Sequence, residues 1–165
     1  MKSASLTIFP YYFNGSDYYP VIPLVFLTGG KRIRSQALVD SGATISIFNK
    51  EVADSLGVKI EKGDKTILGG VGGRIIGYVH KLHIRVAGKE FICPIVFSSE
   101  YLVSFNLLGR MEFFKRFRII FEEKKNFLKL EVNILIVLRG WLVVLEACYR
   151  PDHRPSFVLN PSLHL

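Results

Sequence analysis

Apolar and polar residues alternate over short runs along most of the chain, and turn residues separate the runs. Residues 21–27 (Val-Ile-Pro-Leu-Val-Phe-Leu) read as a strand and Thr28-Gly29-Gly30-Lys31 as a hairpin turn. Residues 32–39 read as a second strand that runs through Ala37-Leu38-Val39 into Asp40. Thr44-Ile45-Ser46-Ile47-Phe48 predicts a short apolar strand. Asn49 then suits a helix N-cap; Val52, Ala53 and Leu56 share one helical face, and Gly57 stands where a stop belongs. The spacing therefore predicts a short helix over Lys50–Leu56. Residues 65–79 carry Gly69-Gly70-Val71-Gly72-Gly73 between two β-type runs, a glycine-tipped hairpin. A further strand pair is expected over 80–87 and 90–97, around Gly88-Lys89. Phe105-Asn106-Leu107-Leu108-Gly109 precedes a second helix at about 110–116. Arg118–Phe121 and Phe127–Glu131 read as strands flanking the polar turn Glu122–Asn126. The pattern predicts an all-β fold, a small closed β-barrel or a sandwich, with one or two short helices.

The two ends differ from this middle. Residues 1–20 are rich in Tyr and Phe around the turn signal Asn14-Gly15-Ser16-Asp17, and form an arm or a first strand. Residues 132–165 hold the apolar runs Ile134–Leu138 and Trp141–Leu145, broken by Arg139-Gly140, and then a tail containing Pro151, Pro155 and Pro161. The expected organisation is an N-terminal arm (1–20), a central domain (21–131) and a hydrophobic C-terminal extension (132–165) that packs on the domain or on a partner. Arg139 and Glu146 argue against a membrane span.

Composition narrows the function classes. A chain of 165 residues suits one domain, and with 49% apolar residues a packed core rather than disorder is expected. Cys93 and Cys148 have no ligand-like spacing and build no disulfide framework. With no secretory leader recognised at the start, a reducing, cytoplasmic setting is expected. The net charge of +8 invites a nucleic-acid reading. Yet in Lys31-Arg32-Ile33-Arg34 and Lys115-Arg116-Phe117-Arg118 apolar residues interleave with the charges, as on an element with one wet face. No nucleic-acid motif accompanies them, so nucleic acid is not an expected partner. A basic nucleic-acid-binding β-barrel stays as the weakest alternative, kept alive only by a salt-dependent gel shift.

Three features carry chemistry, and their order matters. An apolar strand ends in Asp40-Ser41-Gly42-Ala43, the glycine-rich hairpin follows, and Asn106-Leu107-Leu108-Gly109-Arg110 comes last. Asp-Ser-Gly alone marks many turns. The ordered triplet, over roughly residues 20–131, resembles the retropepsin-like aspartic proteases. Peptide hydrolysis by carboxylates needs one group to take a proton from water and another to give one to the substrate. Asp17, Asp54, Asp64 and Asp152 lack the context of Asp40, and a two-lobed enzyme would need roughly twice this length. The resemblance thus implies a homodimeric endopeptidase with one Asp40 from each subunit, acting on peptide or protein substrates without cofactor or metal.

It also implies roles for the neighbours. Ser41 would bond across the dimer axis, and Gly42 would let backbone approach the carboxylates. Ala43 and the hairpin tip Gly69, Gly70, Val71, Gly72 and Gly73, which resembles the family's flap, would contact the substrate. Leu107-Leu108-Gly109 would support the Asp40 loop by packing. Two departures stand out: Thr44-Ile45-Ser46 holds no acid where retroviral members commonly pair one with the late Arg, here Arg110, and the tail past Glu131 replaces a short terminus. They leave a second reading, a catalytically weak or inactive binding or dimerisation module of the same fold. His80 and His83, three apart on a strand, face opposite sides and suit a surface role better than a metal. Cys93 belongs to the core rather than to a nucleophilic pair. Gly69–Gly73 lacks the Gly-Lys-Ser/Thr ending of a phosphate loop.

Overall fold

The computed structural model describes residues 6–70 and 73–133 and, as backbone, 135–138 and 141–144. The strands are β1 (Leu6–Pro10), β2 (Tyr12–Phe13), β3 (Tyr18–Tyr19), β4 (Val21–Thr28), β5 (Lys31–Val39), β6 (Ser46–Asn49), β7 (Asp64–Gly70), β8 (Gly73–Val86), β9 (Lys89–Ser98), β10 (Leu107–Leu108), β11 (Phe117–Glu122) and β12 (Phe127–Val132). Two short α-helices lie among them, α1 (Lys50–Leu56) and α2 (Phe113–Arg116). Leu135–Leu138 and Trp141–Val144 pair as a separate antiparallel hairpin.

Alternation decides the faces. Along β4, Ile22, Leu24 and Phe26 are buried while Pro23 is exposed, and across the hairpin Ala37 and Val39 of β5 turn inward with them. Gly29 and Gly30 both take positive φ, as a two-residue turn between twisted strands requires. The hydrogen-bonded order β4-β5-β10-β6-β9-β8 returns to β4, because Val25–Leu27 also pair with His83–Arg85. The expected all-β architecture is therefore a closed ring of strands, with β7 hanging from β8. Inside it Phe48 stands edge-on to Phe26 and Phe97, with ring centroids 5.3 and 6.4 Å away. Each such fully buried side chain contributes about 1.5–3 kcal/mol, which holds a strand as short as β6 in place.

Local chemistry sets α1. The Asn49 side chain accepts from the Val52 N–H at 3.1 Å, and Gly57 closes the C-terminus in a left-handed conformation. The second helix is shorter than expected. Glu112 sits at φ 62°, so only Phe113–Arg116 are helical. Strand β8 is longer than expected. One continuous strand of 14 residues serves both hairpins that the glycines suggested. The N-terminal residues take the strand alternative: β1 pairs antiparallel with β12, which pairs with β11 in a separate sheet of three. Tyr11 adds to that seam, donating to the Glu123 carboxylate at 2.8 Å.

His80 is more than a surface residue. Its Nε2 lies 2.9 Å from the Ile60 carbonyl and its ring faces Phe97, so it ties β8 to the turn at Ile60–Lys62; His83 is exposed. Cys93 is fully buried, and burial pushes its thiol up to about 11, with the Ser46 hydroxyl beside it pulling the other way. Its full burial makes it a core residue.

Candidate active site

Asp40 is the first residue after β5 and is half-buried. Its own N–H donates to the Leu108 carbonyl at 3.1 Å, and the Val39 N–H donates to the Pro20 carbonyl at 2.9 Å. The loop that follows is laced to a second segment. Arg110 N–H donates to the Ala43 carbonyl at 2.9 Å, and Met111 N–H donates to the Thr44 carbonyl at 2.8 Å. Gly109 lies between the Leu108 and Arg110 bonds. A Cβ built there would stand 2.5 Å from the carbonyl carbon and oxygen of Ile45, so only glycine lets the two backbones cross this closely. The Gly109 N–H is satisfied by the hydroxyl of Ser46 at 3.1 Å, a fully buried polar side chain. Asn106 fastens the same segment, donating to the Gln36 carbonyl and accepting from the Asn49 N–H.

This lacing leaves Asp40 half-buried, beside the exposed Ser41 and Gly42. Gly42 N–H donates to Asp40 Oδ1 at 2.8 Å, which fixes the carboxylate's rotamer toward its own loop. A Cβ on Gly42 would come within 3.2 Å of the same oxygen, so a larger residue would crowd it. Ser41 and Gly42 are exposed and Ala43 is half-buried. Arg110 is exposed and makes no ion pair among the described residues.

The glycine-tipped hairpin shares an apolar cluster with Ile45, at the end of this loop. β8 pairs with β9 only from Tyr78 onward, while β7 and β8 continue together to Gly70 and Gly73. Ladder partners are thus missing beyond Tyr78, and side chains supply them. Ser98 Oγ donates to the Ile76 carbonyl at 2.6 Å, and the Glu100 carboxylate accepts from the Ile76 N–H at 3.0 Å. Leu68 and Ile75, opposite one another in the hairpin, pack with Ile45, Ile47, Leu107 and Tyr101 in a small apolar cluster apart from the main core. Ile67 and Ile76, on the other face, are exposed. Of the tip residues named from the sequence, Gly69, Gly70 and Gly73 are placed here; Val71 and Gly72 lie outside the described residues.

Tyr101 is a member of the site that the sequence did not flag. Its ring is buried in that cluster and its hydroxyl donates to the Phe105 carbonyl at 2.8 Å. Burial, and behind it the negative charge of Asp40, pushes its hydroxyl up to about 12 from the ordinary 10.0. The fold therefore favours the neutral phenol. Stability from this group is whole below pH 10 and drains away as pH climbs from about 10 to about 12. Denaturant unfolding at pH 8 and pH 11 should show a loss of stability that is smaller in Tyr101→Phe. An equal loss in both proteins would mean that the phenol is not held neutral.

The arrangement can do one thing chemically. It presents a single carboxylate on a loop braced by the Gly109 crossing, and the end of that loop packs with Leu68 and Ile75 of the hairpin. A shallow depression of about 650 Å³ between β1 and β4, lined by Thr7, Phe9, Pro23, Arg34 and Arg85, includes no acid among its lining residues. No group of three or more potential metal ligands occurs among the described residues.

Comparison with known proteins bears on this geometry. The aspartyl protease family profile matches residues 25–110, just over half of the chain, and spans both crossing segments. No curated protein matches the sequence. Among solved structures, a retropepsin-like aspartic protease from Rickettsia conorii superposes with a TM-score of 0.59 at 25% identity, covering 76% of this chain and 98% of that one. The chain is a member of the aspartyl protease family with a retropepsin-like fold.

Proposed function

We propose that the protein is a homodimeric aspartic endopeptidase in which two copies of Asp40, one per subunit, activate the attacking water. The observation that carries this reading is the half-buried Asp40 carboxylate, held by the Gly42 N–H on a loop braced by the Gly109 crossing. One such group cannot serve as acid and base at once. Two loops meeting at a two-fold axis supply both. Like charges within hydrogen-bonding reach do not both ionise, the established behaviour of aspartic protease dyads, so the pair holds one proton between them. The ionised member takes a proton from water as the water oxygen attacks the peptide carbonyl carbon. The protonated member gives its proton to the carbonyl oxygen. Collapse of the tetrahedral intermediate then sends a proton to the leaving amine.

Ser41, exposed on the same loop, would bond across the axis. The β7–β8 hairpin acts as a flap, with Gly69, Gly70, Val71, Gly72 and Gly73 bringing backbone groups onto an extended peptide, and Ala43 lining the floor. Leu68 and Ile75 on its inner face favour apolar substrate side chains.

The test is activity against protein concentration. Cleavage of a mixed peptide library, blocked by a statine-type inhibitor, should fall with the square of concentration below the dimer dissociation constant, as the solution mass shifts from two chains to one. A dimer that cleaves nothing across pH would leave the binding-module reading. Activity strictly proportional to concentration in a monomer would refute the shared site.

A further inference from the structure

An aromatic cluster sits beside the Asp40 loop and is left open to solvent. Tyr12 and Tyr19 lie directly opposite one another in the β2–β3 pair, and both rings pack on Phe105, with centroids 6.1 Å away edge-on and 4.9 Å away tilted. Phe13 and Tyr18 pair with each other on the opposite face. Two tethers hold this cluster near the carboxylate. Pro20, the residue after β3, accepts from Val39, the residue before Asp40. Asn106, the residue after Phe105, gives its carbonyl to the Leu38 N–H at 2.8 Å. The Phe105 carbonyl is pinned in turn by the Tyr101 hydroxyl. Rings fixed from both sides would normally be core, yet Tyr12 is 45% exposed, and Leu102 and Val103 in the same loop are 91% and 57% exposed.

We propose that Tyr12, seated on Phe105, forms an aromatic wall at the outer end of the peptide cleft. It selects substrates with a large apolar or aromatic residue several positions from the cleaved bond. The inference rests on the protease reading of Asp40 and adds a substrate class to it. An extended peptide advances about 3.3 Å per residue and turns alternate side chains to one face. A residue three or four positions from the scissile bond therefore reaches roughly 10–13 Å along the surface, and the β2–β3 pair that carries Tyr12 is followed by Pro20, which is bonded to the residue before Asp40. Tyr12 is already immobilised by Phe105, so stacking on it costs little further ordering. Continuity with the Asp40 loop points to the substrate as occupant rather than to a second copy of the chain.

The experiment uses labelled decapeptides in which one Phe is moved through an Ala/Ser sequence around a fixed apolar pair. Their binding is measured to the full chain carrying Asp40→Asn, which leaves them uncut. One outlying position should bind Phe about tenfold more tightly than Ser, equivalent to about 1.4 kcal/mol. Adding Tyr12→Ala should bring that ratio close to one, with the Ser peptide bound as before. Tyr12→Phe should retain the preference. The proposal is overturned if the ratio survives Tyr12→Ala, or if no outlying position prefers Phe. It is equally overturned if Tyr12→Ala lowers the solution mass and the affinity for every peptide together, which would make Tyr12 a subunit contact. Hydrolysis by the unsubstituted protein reads the protease assignment separately. A Tyr12-dependent preference in a protein that cuts nothing would sink the catalytic reading and leave the wall standing.

Discussion

Asp40→Asn will lower kcat for peptide cleavage by on the order of ten-thousandfold or more while the chain folds and dimerises as before. The size follows from the symmetry. One substitution removes both carboxylates of the dimer, so acid and base vanish together, and each such proton transfer is worth roughly 10²–10⁴ in rate. Structural damage should be small. Asn is close to isosteric with Asp, and its side-chain oxygen can still accept from the Gly42 N–H, now at 2.8 Å from Oδ1. The backbone bond to Leu108 does not involve the side chain at all. Melting temperature and solution mass should therefore match the unsubstituted protein, and single-turnover assays should show the loss in the chemical step rather than in binding. Full activity in this variant would remove Asp40 from the mechanism. A variant that unfolds would instead assign the carboxylate a structural role. Mixing active and Asp40→Asn subunits gives a further check, because a shared site makes the mixed dimer as inactive as the doubly substituted one.

What could be read from residues alone was local or ordered along the chain. The helix over Lys50–Leu56 was legible because its cap, apolar face and stop all lie within nine residues of one another. The Asp40 loop was legible through its motif and through the later Leu107-Leu108-Gly109. The strands' faces came from alternation, but alternation names no partners. The closing pair of β4 with β8 joins residues nearly sixty positions apart, and nothing in either run announces it. Gly77 lies inside β8, where a side chain would collide with Val96 of β9. Glu112 at positive φ shortened α2 for a reason no propensity carries. Tyr101 was missed because its importance lies in what it touches after folding. Ser46 did leave a signal: a hydroxyl in the middle of an apolar run must find a partner when buried, and it finds the Gly109 N–H.

Gly109→Ala is the substitution expected to cost most stability for the fewest atoms. The added methyl would stand 2.5 Å from the carbonyl carbon and oxygen of Ile45 and 2.9 Å from its nitrogen. All three are backbone atoms, so no side-chain rotation relieves the contact. Either the Gly109 segment or the Asp40–Ile45 loop must move. The bonds from Arg110 to Ala43, from Met111 to Thr44 and from Gly109 to Ser46 all span that gap and would lengthen together. Overpacking a tight contact typically costs about 1–3 kcal/mol, and weakened buried hydrogen bonds add about 1 kcal/mol each. A domain of this size loses roughly 2–4 °C of Tm per kcal/mol, so the midpoint should fall by on the order of 10 °C. Gly69→Ala is the control, since a Cβ there meets no atom within 4 Å and its φ is not positive; its midpoint should move by no more than about 2 °C. In Gly109→Ala, kcat should fall even where the protein remains folded, because the displaced loop is the one that carries Asp40. A midpoint within about 2 °C of the unsubstituted protein, with kcat intact, would mean that the close crossing of these two segments is not what fixes the carboxylate.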